Sequence, residues 1–286
     1  LSESVTMRIR IVNMLLRITM KGVSFYGCSF SDGGGLDMVS WWNHIKDEDW
    51  VTDEMKDNYR LKYIPKDRYN QYLIDLKKKI RFPHQICERL GIEKYGDHIY
   101  TANNNQNMLE DCYKNISEDN GYLHIIQWSM LSRRKHKYKG YNWRLQMGDD
   151  IYYENTDLSI RDANRIPPTH QDILINHHDN WLGYIFNPKY EFEKLAMYSH
   201  MLDGYAKSMG HKVLFMYHDQ PYDSNLLPDS NLNKTLFDDK PLCNYITTNE
   251  LAIYHETDGK VDDYHFSKHG NDLMADILTP IVYEII

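Results

Sequence analysis

Apolar positions along this chain follow two rhythms. Short β-favouring runs read as buried strands, and apolar residues recurring every three to four positions read as helices packed on one side. The first strand is Gly22 to Gly27. Residues 68–91 carry a helical pattern through Tyr72, Leu73, Leu76, Ile80, Ile86, Cys87 and Leu90. Pro83 interrupts it and Gly91 closes it, which predicts two helices meeting near Arg81-Phe82-Pro83. A short strand around His98-Ile99-Tyr100-Thr101, a polar turn over Asn103–Asn107, a helix from about Asn107 to Ser117 and a third strand, Tyr122–Trp128, come next. Strand, helix, strand in that order is a βαβ unit and implies a parallel sheet. Lys189–Met209 is the clearest helix, with Phe192, Leu195, Ala196, Tyr198, Met201, Leu202 and Tyr205 on one side and Gly210 as its cap. Lys212–Tyr217 is then a buried strand, and residues 269–279 form a last helix ending before Pro280. The pattern predicts an α/β fold with helices on both faces of a mostly parallel sheet.

Three stretches lack this periodicity: residues 37–67, 132–180 and 218–245. They read as loop-rich insertions at strand ends, where a ligand would sit in such a sheet. The remainder, residues 20–286, forms one domain behind an N-terminal extension, 1–19, which is either an added strand or arm or an upstream addition. The first insertion carries Trp41, Trp42 and Trp50, which pack it onto the domain or stack on sugar rings. In the second, Arg133-Arg134-Lys135-His136-Lys137 reads as a solvated loop, with contact to an anionic substrate or partner as the lesser alternative.

Composition narrows the classes. A chain of 286 residues, 42% hydrophobic and 26% charged, can bury one sizeable core. A formal charge of −8 argues against nucleic acid as a partner, because phosphate neutralisation needs a basic face. Four cysteines without close pairing suggest neither a disulfide framework nor a zinc site, and point to a reducing compartment, cytoplasmic or virion-associated. Cys87 and Cys112 fall on apolar helix sides and are expected to be buried thiols. No run is long enough to span a bilayer, and charges interrupt Met7–Arg17 too often for a secretory leader. The 23 tyrosines, apolar bodies with polar tips, suit carbohydrate-facing surfaces and interfaces alike.

Candidate chemistry sits at the two ends of the domain. The first strand stops at Gly27-Cys28-Ser29-Phe30-Ser31, followed by Gly33-Gly34-Gly35. Such a turn presents a hydroxyl at the carboxyl end of a buried strand and leaves its amide free to face a substrate. Near the other end stands Asp262-Asp263-Tyr264-His265. An Asp three residues before a His can fix the imidazole tautomer, so that the far nitrogen takes a proton from a hydroxyl. Asp263 could substitute for Asp262 in this role.

Gly27-Cys28-Ser29-Phe30-Ser31 early, with Asp262-x-x-His265-Phe266-Ser267-x-x-Gly270-Asn271 before a last helix, resembles the SGNH (GDSL-type) hydrolases. The likeness covers roughly residues 20–35, 84–130 and 190–280. It implies a flavodoxin-like three-layer α/β/α sandwich with Ser29 as nucleophile, His265 as general base and then acid, and Asp262 orienting His265. It also implies an oxyanion pocket from the Ser29 amide, a glycine amide after the second strand and an asparagine side chain after the third. The chain departs from that pattern: Asn103–Asn107 stands at the glycine, Gln127-Trp128-Ser129 at the expected Gly-x-Asn-Asp, and Cys28 at the family's Asp. A side-chain amide from Asn103, Asn104, Asn105 or Gln127 would have to serve as donor. Some phage- and virus-encoded relatives have a similar Gln-Trp-Ser-type strand end, so this likeness leaves room for a viral source.

The expected function is therefore a serine esterase or deacetylase acting on acyl esters, acetyl above all, of a small molecule or carbohydrate. It needs no cofactor and no metal. The alternative is an SGNH-fold binding or structural protein, such as a virion component, with weak turnover or none. His177-His178-Asp179 and Thr169-His170 invite a metal reading, but adjacent histidines point apart and no helical i, i+4 pair accompanies them. Asn115-Ile116-Ser117 matches a glycosylation sequon inside a predicted helix and is set aside.

Overall fold

The computed structural model describes residues 22–28, 31, 71, 74–75, 77–93, 95–99, 104–118, 122–138, 141–145, 151–154, 176–177, 179–256 and 264–286. In chain order the elements are β1 (Val23–Gly27), α1 (Phe82–Leu90), β2 (Gly96–Ile99), α2 (Asn105–Ser117), β3 (Leu123–Trp128), β4 (Arg134–Tyr138), β5 (Tyr141–Leu145) and β6 (Ile151–Glu154). A π-helical turn (Trp181–Ile185), α3 (Pro188–Ser208), β7 (Lys212–Tyr217), a 3₁₀ turn (Ser224–Leu226), α4 (Leu232–Leu236), α5 (Leu242–Thr248), α6 (Ile253–Glu256) and α7 (Lys268–Ile285) follow.

Four strands pair in parallel in the order β2-β1-β3-β7, as in the flavodoxin-like member of the doubly wound folds. Side chains alternate across a strand, so each strand divides between two cores. β1 sends Val23 and Phe25 to one face and Tyr26 to the other. β3 sends Leu123 and Ile125 one way, and Ile126 and Trp128 the other. α1 and α7 close the first face with Phe82, Ile86, Met274, Leu278 and Val282. α2 and α3 close the second with Met108, Cys112, Ile116, Phe192, Leu195 and Leu202. The result is the expected three-layer α/β/α sandwich. Polar groups inside it are linked: Tyr26 Oη lies 3.1 Å from His124 Nδ1, and His124 Nε2 lies 3.0 Å from His211 Nδ1.

Local chemistry sets the helix ends. Asn104 caps α2 by accepting the Asn107 amide at 3.0 Å, and Asn187 caps α3 by accepting the Tyr190 amide at 3.2 Å. Gly91 closes α1 at φ 67° and Gly210 follows α3 at φ 75°, a conformation open to glycine. Cys87 and Cys112 are buried, and burial pushes the Cys87 thiol up to about 12 and raises that of Cys112 further.

Several expectations shift. β2 begins two residues earlier than expected, and α2 starts inside the asparagine run, because Asn104 is its cap rather than part of a turn. The stretch 132–180 contains an antiparallel meander in the order β4-β5-β6. Of the basic run read as a solvated loop, Arg134 to Lys137 lie on its first strand, with Tyr138 paired to Tyr141. α7 runs through Pro280 instead of ending before it. Pro280 is exposed while Leu278 and Val282 are fully buried. Burying those side chains contributes roughly 1.5–3 kcal/mol each, which offsets the roughly 3 kcal/mol cost of a helix-interior proline.

The open edge of β7 is covered by the segment after it. Phe215 donates its amide to Ser230 O at 3.0 Å. The wholly buried Asn233 accepts the Tyr217 amide at 2.8 Å and donates to Tyr217 O at 2.9 Å. A side-chain amide thus continues the ladder in place of a neighbouring strand, which blunts the edge. Residues 1–19 and the proposed insertion 37–67 lie outside the described residues. No described helix is long and apolar enough to cross a membrane.

Candidate active site

The carboxyl ends of β1, β3 and β7 converge on one cluster of polar side chains. β1 ends at Gly27, where a Cβ would lie 2.7 Å from Ser31 Oγ and 3.5 Å from Gln127 Oε1. Glycine is required there by close approach. Cys28 is completely buried, and Ser31 donates its hydroxyl to Gln127 Oε1. Gln127 Nε2 points at Cys28 Sγ, 3.9 Å away. The turn after β1 is tied from outside as well. Arg81, immediately before α1, donates Nε to Ser31 O at 3.0 Å and grips Asp97 of β2 with both terminal nitrogens, at 3.2 and 3.0 Å. The planar guanidinium can serve both partners from one buried position.

Beyond β3, Ser129 is held on its backbone and its side chain. Its amide donates to Asn105 Oδ1 at 2.7 Å, Asn105 Nδ2 donates to its carbonyl at 3.2 Å, and Arg133 Nη1 donates to its hydroxyl at 2.9 Å. Beyond β7, His218 is 3% exposed, and its carbonyl accepts the Cys243 amide of α5 at 3.0 Å. Burial first, then the nearby charges of Arg133 and His265, lower the His218 pKa to about 3. The next residue, Asp219, accepts the Leu131 amide at 3.0 Å, and burial raises its carboxyl.

His265 arrives from the far end of the chain on the loop before α7. Its carbonyl accepts the Ile253 amide of α6 at 3.0 Å, and Phe266 bridges Ala252 in antiparallel fashion. Ser267 caps α7 by accepting the Gly270 amide at 3.0 Å. Asn271 then locks this loop to α1: it accepts the Phe82 amide at 3.1 Å and donates to Ser267 O at 3.0 Å. Phe266 packs edge-on against Phe82, with centroids 6.2 Å apart. The half-buried His265 is thereby fastened to the face that carries α1 and α7, and its charge is among the causes that lower the His218 pKa.

The expected residues divide as follows. Ser29, Asp262 and Asn103 lie outside the described residues, as do Asp263, His170 and His178. His265, Gln127, Asn104 and Asn105 are described, at the positions given above. The Gln127 carbonyl is committed to Ser31, the Asn104 carbonyl to the α2 cap, and the Asn105 amide to Ser129. His177 is exposed, and no group of three or more metal-ligating side chains occurs among the described residues. Sequence reasoning passed over Arg81 and His218, and named Arg133 only within the basic run 133–137. His218 carried one signal, its place one residue past a buried strand; Arg81 carried none, because it acts across distant chain segments, whereas Arg133 stood in the basic run and reaches Ser129 four residues away.

A cleft of about 440 Å³ opens beside this cluster, between the first turn of α2, the loop after β3, the π-helical turn and the start of α3. Comparison with protein-family models, with curated proteins and with solved structures gave no match.

Proposed function

We propose that this chain is a serine esterase of the SGNH type, removing acyl groups, acetyl above all, from ester substrates that include carbohydrates. One observation carries the reading. His265, brought from the carboxyl end of the chain, is held by its carbonyl to the Ile253 amide on a loop locked to α1, and at the ends of β1 and β3 Cys28 and Ser31 both meet Gln127. Cys28 and Ser31 bracket Ser29 in sequence.

In this reading the Ser29 hydroxyl attacks the ester carbonyl while His265 takes its proton and Asp262, three residues earlier, orients the ring. His265 returns the proton to the departing alcohol, leaving an acyl-serine. Water, deprotonated by the same imidazole, then releases the acid and restores the hydroxyl. Such proton transfer contributes ~10²–10⁴-fold in rate. The Ser29 amide, aided by a side-chain amide from Asn103, Asn104, Asn105 or Gln127, would receive the oxyanion. Arg81 and Gln127 act as positioning residues, since both hold Ser31 two residues beyond the nucleophile.

A fluorophosphonate probe tests this directly. The expected result is covalent labelling of Ser29, mapped by peptide mass spectrometry and abolished in Ser29→Ala and in His265→Ala. A folded protein that never labels would instead favour a binding or structural role. The engagement of the side-chain donors of Asn105, on Ser129 O, and of Gln127, on Cys28 Sγ, is the observation that favours this second reading.

A further inference from the structure

We infer that the cleft beside α2 is a subsite for a sugar unit carrying an anionic substituent, a carboxylate or a phosphate. Its role in catalysis rests on the esterase reading; the binding itself does not. At about 440 Å³ the cleft is within the usual range of small-molecule sites, ~300–1,000 Å³.

One wall is built from a single face of α3, where Tyr190, Lys194 and Tyr198 recur every four residues and line the cleft. Tyr190 is 60% exposed, so its ring is not consumed by the core. Its face offers apolar area to the C–H face of a pyranose while its hydroxyl stays wet. Lys194 Nζ stands 5.8 Å from the centre of that ring and is ion-paired with Glu191. Glu191 is the acidic residue among the described residues lining the cleft, and this pairing neutralises it.

The opposite side is cationic in character. Arg133, 7% exposed, lines the cleft and has one nitrogen on Ser129 Oγ. A guanidinium has five donors in a planar fork that matches carboxylate and phosphate oxygens. Asn105 and Gln106, in the first turn of α2, line the cleft as well, and a helix amino terminus favours negative charge. Asp219 is close enough to sense Arg133, but it holds the Leu131 amide and does not line the cleft. This local preference for an anion runs against a chain charge of −8, so it is a property of the site. Arg133 also connects it to the catalytic cluster, through Ser129 and through its effect on His218. A sugar seated here would present an attached acyl ester toward the strand ends.

The test titrates the full chain with glucose, glucuronic acid and glucose 6-phosphate by ligand-observed NMR. At least one acidic sugar is expected to bind about tenfold or more tightly than glucose, and which one identifies the anion. Tyr190→Ala is expected to weaken all binding several-fold, whereas Arg133→Lys should reduce the preference for the acidic sugar. Tyr190 is exposed, so its variant reads binding even where Arg133→Lys fails to fold. Glucose binding as tightly as both acids, no binding by any of the three, or binding indifferent to Tyr190→Ala would overturn the inference. Labelling of Ser29 without sugar binding removes the subsite and leaves the esterase; binding without labelling does the reverse.

Discussion

His218 should make this protein acid-labile. Burial keeps its imidazole neutral in the fold and lowers its pKa from 6.5 to about 3. The unfolded chain takes up the proton near pH 6.5, whereas the folded one refuses it until about pH 3. Stability is therefore whole above pH 6.5 and is lost as pH falls between those values. Each pH unit in that window removes up to about 1.4 kcal/mol, roughly 5 kcal/mol at most in total. That is comparable with the whole net stability of many domains, about 5–15 kcal/mol. His84 and His98 are also lowered by burial, and Asp219, raised by burial, acts in the opposite sense. These groups persist in a His218→Gln variant, so the difference between the two proteins isolates His218. Urea titrations followed by tryptophan fluorescence at pH 7, 6, 5 and 4 would measure it. The wild type is expected to lose stability more steeply than the variant, by up to about 1.4 kcal/mol per pH unit. Parallel stability profiles would refute the reasoning, even if the variant were less stable at every pH.

The remaining predictions concern the joints that hold the site together. Asn271→Ala strands the Phe82 amide and the Phe266 carbonyl in a buried place, while Ser267 O keeps the backbone amide of residue 271; a loss of about 2–4 kcal/mol is expected in denaturant titration, with slower probe labelling as His265 loosens. Gly270→Ala would bring a Cβ to 2.5 Å from Leu251 O and 2.9 Å from Phe266. The α7 cap must then shift, and the expected loss is about 1–3 kcal/mol, read as a lowered Tm; an unchanged Tm would show that the close approach is not there. Gln127→Met and Ser31→Ala should each destabilise and together cost less than their sum, because they break one shared hydrogen bond. A double-mutant cycle giving no coupling would contradict that contact.

Periodicity was enough to reveal the layered sheet. β1, β3 and β7 are buried on both faces, so their runs are mostly apolar, with Ser24, His124 and Gln127 as buried exceptions, and α3 shows its buried stripe over its full length. The meander β4–β6 left no such trace: its first strand is a run of basic residues, whose pattern carries no apolar alternation to read. Pro280 misled for a related reason. Local rules end a helix there, and only the burial of Leu278 and Val282 against the sheet decides that α7 continues.

Site chemistry divides along the same line. Residue types and short spacings mark the serine turn and the Asp-x-x-His loop, because a turn and a three-residue offset are local properties of the chain. Arg81 bonding Ser31 and Asp97, Asn105 holding Ser129, and Asn271 holding Phe82 are pairings made by folding. No local pattern encodes them. Only the parallel stacking of β1, β3 and β7 brings these strand ends, nearly 200 residues apart in the chain, into one site.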